Sequence, residues 1–155
     1  CVEQLIAFKE SGRDANMCRL TDAGCGSGIL AISAAKLAFE QIVGFDIDGD
    51  AVRIAEENAK INGVSGIRFS VGGLEDGLSS EGADCLLANI LANILVQNSK
   101  LLIESVAPGG WLILSGILGT EVEEVADHFC QTECWTNAQI DRLDEWASVR
   151  LEKAE

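Results

Sequence analysis

The chain has 155 residues, with 25 acidic and 11 basic side chains and a formal net charge of −14. This charge argues against broad electrostatic binding to nucleic acid or to anionic lipid, and it would suit a basic protein partner. It also suits a domain whose acidic residues do no more than keep it soluble. No apolar run approaches the roughly 20 residues that span a bilayer, so no membrane segment is expected.

The length fits a single domain over residues 1–155. The first residue is a cysteine rather than a methionine, so we expect these residues to be one domain of a longer protein. The six cysteines include no Cys-x-x-Cys pair, and the single histidine, His128, leaves a zinc site incomplete. We therefore expect no bound metal, and a reduced, cytoplasmic protein.

Apolar periodicity predicts strands and helices in alternation. In the first half we expect helices over 1–10, 29–39 and 50–62, and strands over 18–23, 42–46 and 67–71. In the second half we expect a loop over 72–82, strands over 85–88 and 111–114, helices over 92–106 and from 120 onward, and extended runs over 135–143 and 146–152. Val2, Leu5 and Ile6 lie at helical spacing in the first helix, and Thr120 with Glu123 predicts a capping box for the last one.

This alternation with short connections implies right-handed parallel crossovers and helices on both faces of a sheet. The last two extended runs are close enough in sequence to pair as antiparallel neighbours. The predicted fold is therefore α/β, a doubly wound and mostly parallel sheet of seven strands with an antiparallel C-terminal edge. In such sheets a ligand lies beyond the carboxyl ends of the strands, at the switch point beside the first strand.

The predicted site is arranged around residues 20–30 (LTDAGCGSGIL). An extended run ends in Gly24, Gly26 and Gly28, and an apolar helical segment follows directly. Glycines keep Cβ atoms out of a tight strand-to-helix turn, so a ligand can approach the backbone and the free N–H groups of the new helix. We call residues 24–28 the glycine corner. Cys25 within it is expected to be selected for its size rather than for nucleophilicity.

The next extended run ends at Asp46, whose carboxylate can accept hydrogen bonds from both hydroxyls of a ribose, while Ile47 can cover an adenine face. Asp46 and Asp48 also suit N-terminal caps of the following helix. The Gly-x-Gly-x-Gly spacing differs from the Gly-x-Gly-x-x-Gly of nicotinamide and flavin folds. Asp22, ahead of the corner, would repel a phosphate but would suit the amino group of S-adenosylmethionine, directly or through water. The residues therefore favour S-adenosylmethionine over NAD.

Several stretches, which together extend over nearly the whole chain, resemble the PrmA-type ribosomal protein methyltransferases. They are residues 22–32 (DAGCGSGILAI), 44–48 (GFDID), 57–59 (ENA), 62–63 (NG), 89–92 (NILA), 108–110 (PGG), 114–118 (LSGIL) and 145–146 (EW). The glycine corner and Pro-Gly-Gly occur in many methyltransferases. Asn-Ile-Leu-Ala together with Leu-Ser-Gly-Ile-Leu is more particular to this family.

The resemblance implies a class I S-adenosylmethionine-dependent methyltransferase with a Rossmann-like fold. It also implies methylation of lysine side-chain amines, and of an N-terminal amine, on large-subunit ribosomal protein eleven. The family has a separate N-terminal domain that grips the ribosomal protein, and a glycine-, histidine- and threonine-rich loop; we expect both to lie outside these residues. Gly73 stands where a family aspartate often follows the third strand, so this chain departs from the family at that adenine contact.

The predicted cofactor-binding residues are Asp22, Gly24, Cys25, Gly26, Gly28, Asp46, Ile47 and Asn89. Asn89 is also the predicted catalytic residue. Its side chain, with its own carbonyl or that of Ile90, would accept hydrogen bonds from the acceptor amine and aim the lone pair at the methyl group. The position of Asn89 also suits a turn, in which its side chain would hydrogen-bond to nearby backbone groups. Two other functions stay open, namely methyl transfer to a small molecule or nucleic acid, and a non-catalytic interaction module that binds the cofactor.

Overall fold

The computed structural model describes residues 1–155 and contains seven strands and seven helices. The strands are β1 (Arg19–Ala23), β2 (Gln41–Asp46), β3 (Arg68–Val71), β4 (Ala83–Asn89), β5 (Val106–Leu118), β6 (Trp135–Leu143) and β7 (Trp146–Lys153). The helices are α1 (Val2–Glu10), α2 (Ile29–Lys36), α3 (Gly49–Ile61), α4 (Leu74–Gly77), α5 (Ala92–Gln97), α6 (Ser99–Glu104) and α7 (Val122–Cys130). None of these helices combines the length and the apolar character needed to cross a membrane.

All seven strands join one sheet in the order β3-β2-β1-β4-β5-β7-β6. The pairs among the first five strands are parallel, and β5–β7 and β6–β7 are antiparallel. The chain runs outward from β1 to β3 and then returns to place β4 on the other side of β1, so the switch point lies between β1 and β4. The predicted doubly wound α/β fold with an antiparallel C-terminal edge is confirmed.

Strand β5 shows why both faces of the sheet need helices. Its residues alternate between two buried clusters, with Leu112 and Leu114 in one and Trp111 and Ile113 in the other. Helices α5, α6 and α7 contribute to the first cluster, and α1 and α2 contribute to the second. A strand that is apolar on both sides is removed from water only between two helical layers.

Helix α1 is confirmed, but it buries a different face from the one that Val2, Leu5 and Ile6 predict. Gln4, Leu5 and Phe8 are buried, whereas Val2 and Ile6 are 39% and 38% exposed. Phe8 directs this face because its ring is fully buried in the cluster that α1 shares with α2 and β5. As a result a polar side chain, that of Gln4, is carried into the interior.

The helix predicted over 92–106 is divided at Asn98 into α5 and α6. The Asn98 Nδ2 donates a 2.9 Å hydrogen bond to the carbonyl of Ile94, and its backbone φ is −109°. Asparagine side chains compete in this way with regular helical geometry. The interruption matters for the site described below, because Asn98 lines a cavity there.

Strand β5 is much longer than the predicted strand over 111–114. It begins at Val106, so the Pro-Gly-Gly segment lies inside the strand rather than in a turn before it. Its partner β4 accommodates the early start with a register shift between Ala83 and Cys85. The strand continues as far as Leu118 because β7 pairs with residues 111–114 and, after a register shift, with residues 117–118.

The capping box predicted for α7 is wrong. The N-cap residue is Glu121 rather than Thr120, and no side chain caps the helix. The Glu121 Oε2 instead accepts a 3.2 Å hydrogen bond from the Leu118 N–H, and Glu123 pairs with Arg142 of β6. The guanidinium group therefore takes the carboxylate that the capping box requires.

Two features near β3 also differ from the predictions. The strand lies at the edge of the sheet, so its apolar residues are not fully buried, and Val71 is 62% exposed. The loop predicted over 72–82 contains the short helix α4. This helix brings Leu74 and its neighbours to the carboxyl end of β2.

Replacing Leu112 by alanine should lower the free energy of unfolding by about 2–5 kcal/mol, because the truncation leaves a cavity in a core that relaxes only partly. Leu112 is fully buried in β5. Urea denaturation followed by circular dichroism measures the change. Leu143→Ala is the control, because Leu143 is 74% exposed, and it should change stability by less than about 0.5 kcal/mol. Equal effects of the two substitutions would contradict the central position of β5.

Candidate cofactor and acceptor site

The predicted site residues meet at one edge of the sheet. β1 ends at Ala23 and leads into the glycine corner, β2 ends at Asp46, and β4 ends at Asn89. Asn89 is paired in register with Ser115 of β5. Because these strands are parallel neighbours, their carboxyl ends bring together residues that are far apart in the sequence.

The backbone of the glycine corner requires glycine at three positions. Gly24, Gly26 and Gly28 have φ angles of +73°, +51° and +79°, values that other residues rarely adopt. A Cβ on Gly28 would also lie 2.9 Å from the Ala55 Cβ, so this glycine lets α2 approach α3 closely. A Cβ on Gly26 would meet no other atom within 4 Å, so the space beside it is open.

Hydrogen bonds attach the glycine corner to the end of β2. The Phe45 carbonyl accepts a hydrogen bond from the N–H of Gly24 and another from the N–H of Cys25, each 2.9 Å long. The Asp46 Oδ2 accepts a third, also 2.9 Å long, from the N–H of Gly26. The position of the corner relative to the Asp46 carboxylate is therefore fixed by three consecutive N–H groups.

Asp46 and Asp48 have different roles, although both were considered as helix caps. Asp48 is the N-cap of α3, and its Oδ1 accepts a 2.9 Å hydrogen bond from the N–H of Asp50. Asp46 precedes the helix, and its Oδ1 accepts a 3.0 Å hydrogen bond from the N–H of Asp48. Each Asp46 oxygen thus accepts one hydrogen bond from the protein and keeps a further lone pair for a ligand. Ile47 beside it is 82% exposed and offers apolar surface.

A cavity of about 400 Å³, here called the corner cavity, adjoins the glycine corner. Its lining includes Gly24, Asp46, Ile47, Gly73, Glu75, Asp76, Ile90 and Asn98. Glu75, Asp76 and Asn98 are not among the predicted site residues, because the sequence patterns place the first two in a loop and the third within a continuous helix. The position of Glu75 and Asp76 just after a strand that ends at this edge is the signal that points to them. Gly73 leaves room for a side chain, since a Cβ there would meet no atom within 4 Å.

Asp22 lies outside the lining of the corner cavity and is fully buried. Its Oδ2 accepts a 3.0 Å hydrogen bond from the N–H of Ala31 in α2, and its Oδ1 has no hydrogen-bond partner. Burial, with a smaller contribution from the charge of Asp46, raises the pKa of Asp22 to about 7 against the effect of the Ala31 hydrogen bond. The contact of Asp22 with the amino group of a ligand, directly or through water, stays a prediction.

Cys25 is also buried, with 5% of its surface exposed. Burial, and then the charges of Asp22 and Asp46, raises the pKa of the Cys25 thiol to about 12. The thiol therefore stays protonated near neutral pH and is a poor nucleophile. This agrees with a role as a small apolar residue in the glycine corner.

Asn89 lines a second cavity, of about 530 Å³, together with Ser115, Gly116 and Asp141. We call it the Asn89 cavity. Ile90, the next residue, lines the corner cavity, where a Cβ on Gly24 would overlap its side chain. Consecutive residues at the end of β4 therefore belong to the two cavities, and Asn89 lies on the side away from Asp46.

Solved structures with the same architecture indicate which class of protein this fold belongs to. The ribosomal protein L11 methylase of Lactobacillus delbrueckii subsp. bulgaricus matches with a TM-score of 0.83 and 27% identity, over 99% of this chain and 79% of that one. An RNA methyltransferase of Salinibacter ruber, solved with S-adenosyl-L-homocysteine, matches with a TM-score of 0.73 and 23% identity, over 99% and 90% of the two chains. Together with the strand order and the glycine corner, these matches define the fold of a class I S-adenosylmethionine-dependent methyltransferase.

The family is defined more closely by sequence. The model of the family described as Ribosomal protein L11 methyltransferase (PrmA) matches residues 1–154, and the chain belongs to this family. It is 38% identical over 150 residues to the ribosomal protein L11 methyltransferase of Shewanella pealeana, covering 96% of this chain and 48% of that protein. For the protein of that name from Pseudomonas paraeruginosa the identity is 44% over 129 residues, covering 83% and 42%. The chain thus spans about half the length of the curated relatives it matches, and the resemblance noted in the sequence is confirmed.

Substituting asparagine for Asp22 should change the dependence of stability on pH. The folded state raises the pKa of Asp22 from 3.8 to about 7, so between these values the folded chain binds a proton that the unfolded chain has released. Asp22 therefore lowers the free energy of unfolding as the pH rises through this interval.

An amide cannot ionise. The free energy of unfolding of Asp22→Asn should therefore rise by a few kcal/mol relative to that of the wild type between about pH 4.5 and pH 8. Urea denaturation of both proteins at several pH values measures the difference. A difference that stays constant over this range would contradict the raised pKa of the buried carboxyl group.

Proposed function

We propose that residues 1–155 form the catalytic domain of an enzyme that binds S-adenosylmethionine in the corner cavity and methylates amines of ribosomal protein L11. One observation carries the proposal: in a member of this family, the glycine corner, Asp46 and Asn89 meet at one sheet edge, beside two cavities. The proposed acceptor is inferred from the names of the relatives, which are ribosomal protein L11 methyltransferases. Residues outside this chain would grip the ribosomal protein.

The residues around the corner cavity fit this cofactor. When bound, S-adenosylmethionine supplies a methyl group that is activated by a sulfonium cation. The carboxylates of Asp46, Glu75 and Asp76 at the cavity suit a cationic ligand without phosphate groups. Asp46 would accept hydrogen bonds from the ribose hydroxyls, and Ile47 would cover the adenine ring. The N–H groups at the start of α2 would bind the carboxylate of the ligand.

The acceptor amine would enter through the Asn89 cavity. A lysine amine has an ordinary pKa of about 10.4, so it must lose a proton before it can attack. Removal from water and a nearby positive charge both favour the neutral amine. The Asn89 side chain and the carbonyl of Asn89 or Ile90 would accept the amine hydrogens and direct its lone pair. The catalytic effect would then come from positioning and fixed dipoles.

A nucleic-acid acceptor is less well supported. The net charge of −14 opposes binding to a phosphate backbone. The similar RNA methyltransferase from Salinibacter ruber is only 23% identical, so this similarity supports the fold and not the acceptor. If the wild type binds the cofactor but leaves L11 unmodified, the experiments that follow would favour another acceptor or binding without turnover.

Asp46→Asn should weaken binding of S-adenosylmethionine by at least about tenfold, because a carboxylate that accepts hydrogen bonds from both ribose hydroxyls is replaced by a neutral amide. Isothermal titration calorimetry measures the affinity. Asp50→Asn is the matched control, because Asp50 is exposed on α3 and does not line the corner cavity, and its affinity should stay within twofold of the wild type. Unchanged binding by Asp46→Asn, or no binding by the wild type, would refute the cofactor assignment.

Asn89→Ala should retain cofactor binding but reduce the methylation rate on the order of 100-fold, because the amine is no longer oriented. The complete gene product would be incubated with ribosomal protein L11 and S-adenosylmethionine, and methylated lysines and the N-terminus would be counted by mass spectrometry. Asn93→Ala is the control, because Asn93 is exposed on α5 and lines neither the corner cavity nor the Asn89 cavity. Full activity of Asn89→Ala would exclude its role, and unmodified L11 with the wild type would exclude the acceptor.

A further inference from the structure

The Asn89 cavity has an acidic wall that the proposed reaction does not yet use. Glu3 of α1 and Asp141 of β6 line it, and neither carboxylate forms a salt bridge. Arg142 also lines the cavity, but its guanidinium is engaged by Glu123 and by the carbonyl of Gly119. The ionisable side chains that line this wall, two carboxylates and one guanidinium, therefore carry a net negative charge.

Asp141 is held in place by two neutral amides. The Gln4 Nε2 donates a 2.6 Å hydrogen bond to its Oδ2, and the Gln139 Nε2 donates a 2.8 Å hydrogen bond to its Oδ1. Gln4 Nε2 lies 3.0 Å from the Ser148 Oγ as well. Each carboxylate oxygen thus has a fixed position and a lone pair that remains free. Neutral donors orient the carboxylate without cancelling its charge.

Gln4 gives a second, independent indication of a ligand. It is only 4% exposed, it lines the Asn89 cavity, and its Oε1 has no hydrogen-bond partner. A buried amide oxygen without a donor is costly. A cationic group that entered the cavity would bring N–H donors to this wall and would offset that cost.

The rim of the same cavity is apolar. Leu143 and Trp146, at the two ends of the β6–β7 turn, are 74% and 51% exposed and line the cavity. An exposed leucine and an exposed tryptophan suit the methylene stem of a long side chain, while the half-buried carboxylate of Asp141 suits its charged end. This combination matches an alkylammonium group better than an inorganic cation.

We propose that the Asn89 cavity contains a recognition subsite for a protonated primary amine, in which Asp141 binds the ammonium group and Gln4 is a positioning residue. The inference rests on the proposed function in that it names how the same site selects its acceptor. It concerns binding only, and no covalent bond or proton changes place at Asp141. The subsite selects lysine-like side chains before the amine loses its proton beside Asn89.

The test uses binding of a small probe to the complete gene product, independently of turnover. The probes are Nα-acetyl-lysine methylamide and the uncharged Nα-acetyl-norleucine methylamide, followed by saturation-transfer NMR at neutral pH. The lysine probe should bind and the norleucine probe should bind at least about tenfold more weakly. Asp141→Asn should weaken binding of the lysine probe by a similar factor. Equal binding of the two probes would overturn the proposal.

Asp144→Asn is the matched control. It removes the same charge three residues further along, in the turn that follows β6. Asp144 does not line the cavity, and its φ of +53° is one that asparagine adopts readily. The control should bind the lysine probe as the wild type does. Equal losses in Asp141→Asn and Asp144→Asn would reduce the effect to general electrostatics and would also overturn the proposal.

Steady-state kinetics with L11 separates this proposal from the proposed function. Asp141→Asn should raise KM for L11 and leave kcat and the affinity for S-adenosylmethionine unchanged. Gln4→Met, which keeps the length but removes the amide, should raise KM in the same direction. If the wild type binds the lysine probe but does not methylate L11, the acceptor assignment fails and the subsite stands. If L11 is methylated with an unchanged KM in Asp141→Asn, the subsite fails and the proposed function stands.

Discussion

The hydrogen bonds between the end of β2 and the glycine corner are the constraint on which the rest of the site depends. The Phe45 carbonyl and the Asp46 carboxylate hold three consecutive N–H groups, those of residues 24–26. This attachment requires positive φ angles at Gly24 and Gly26, and it requires β1 and β2 to be parallel neighbours. Asp46 therefore shapes the corner and still has lone pairs for a ligand. One side chain thus combines a structural hydrogen bond with the proposed role in binding.

The two cavities divide the tasks of the proposed enzyme across the end of β4. Ile90 belongs to the corner cavity and Asn89 to the other, so adjacent residues separate the donor side from the acceptor side. Both cavities carry carboxylates, and both proposed ligands are cations. Buried Asp22 adds a carboxyl group beneath this edge, and because burial raises its pKa to about 7, its ionisation costs stability as the pH rises. Asp46, Glu75 and Asp76 line one cavity, and Glu3 and Asp141 line the other, where the proposed cationic ligands would bind.

Much of the fold and part of the site followed from local patterns. Alternating apolar segments predicted a doubly wound α/β sheet. The rule that ligands bind beyond the carboxyl ends of parallel strands predicted a common edge for Asp46 and Asn89. Asp48 acts as the cap that its position suggested. The capping box at Thr120 failed because Arg142, on another element, binds the carboxylate of Glu123. Local patterns cannot register such a competitor.

The sequence by itself determined the element types, the glycine corner and the family, because periodicity, turn chemistry and motif spacing are properties of neighbouring residues. Only the tertiary structure decided which face of α1 is buried, and thereby that Gln4 reaches Asp141, 137 positions further along the chain. It also decided that Glu75 and Asp76 line the corner cavity. These juxtapositions arise from the packing of helices and strands against one shared sheet, and no short stretch of sequence contains that information.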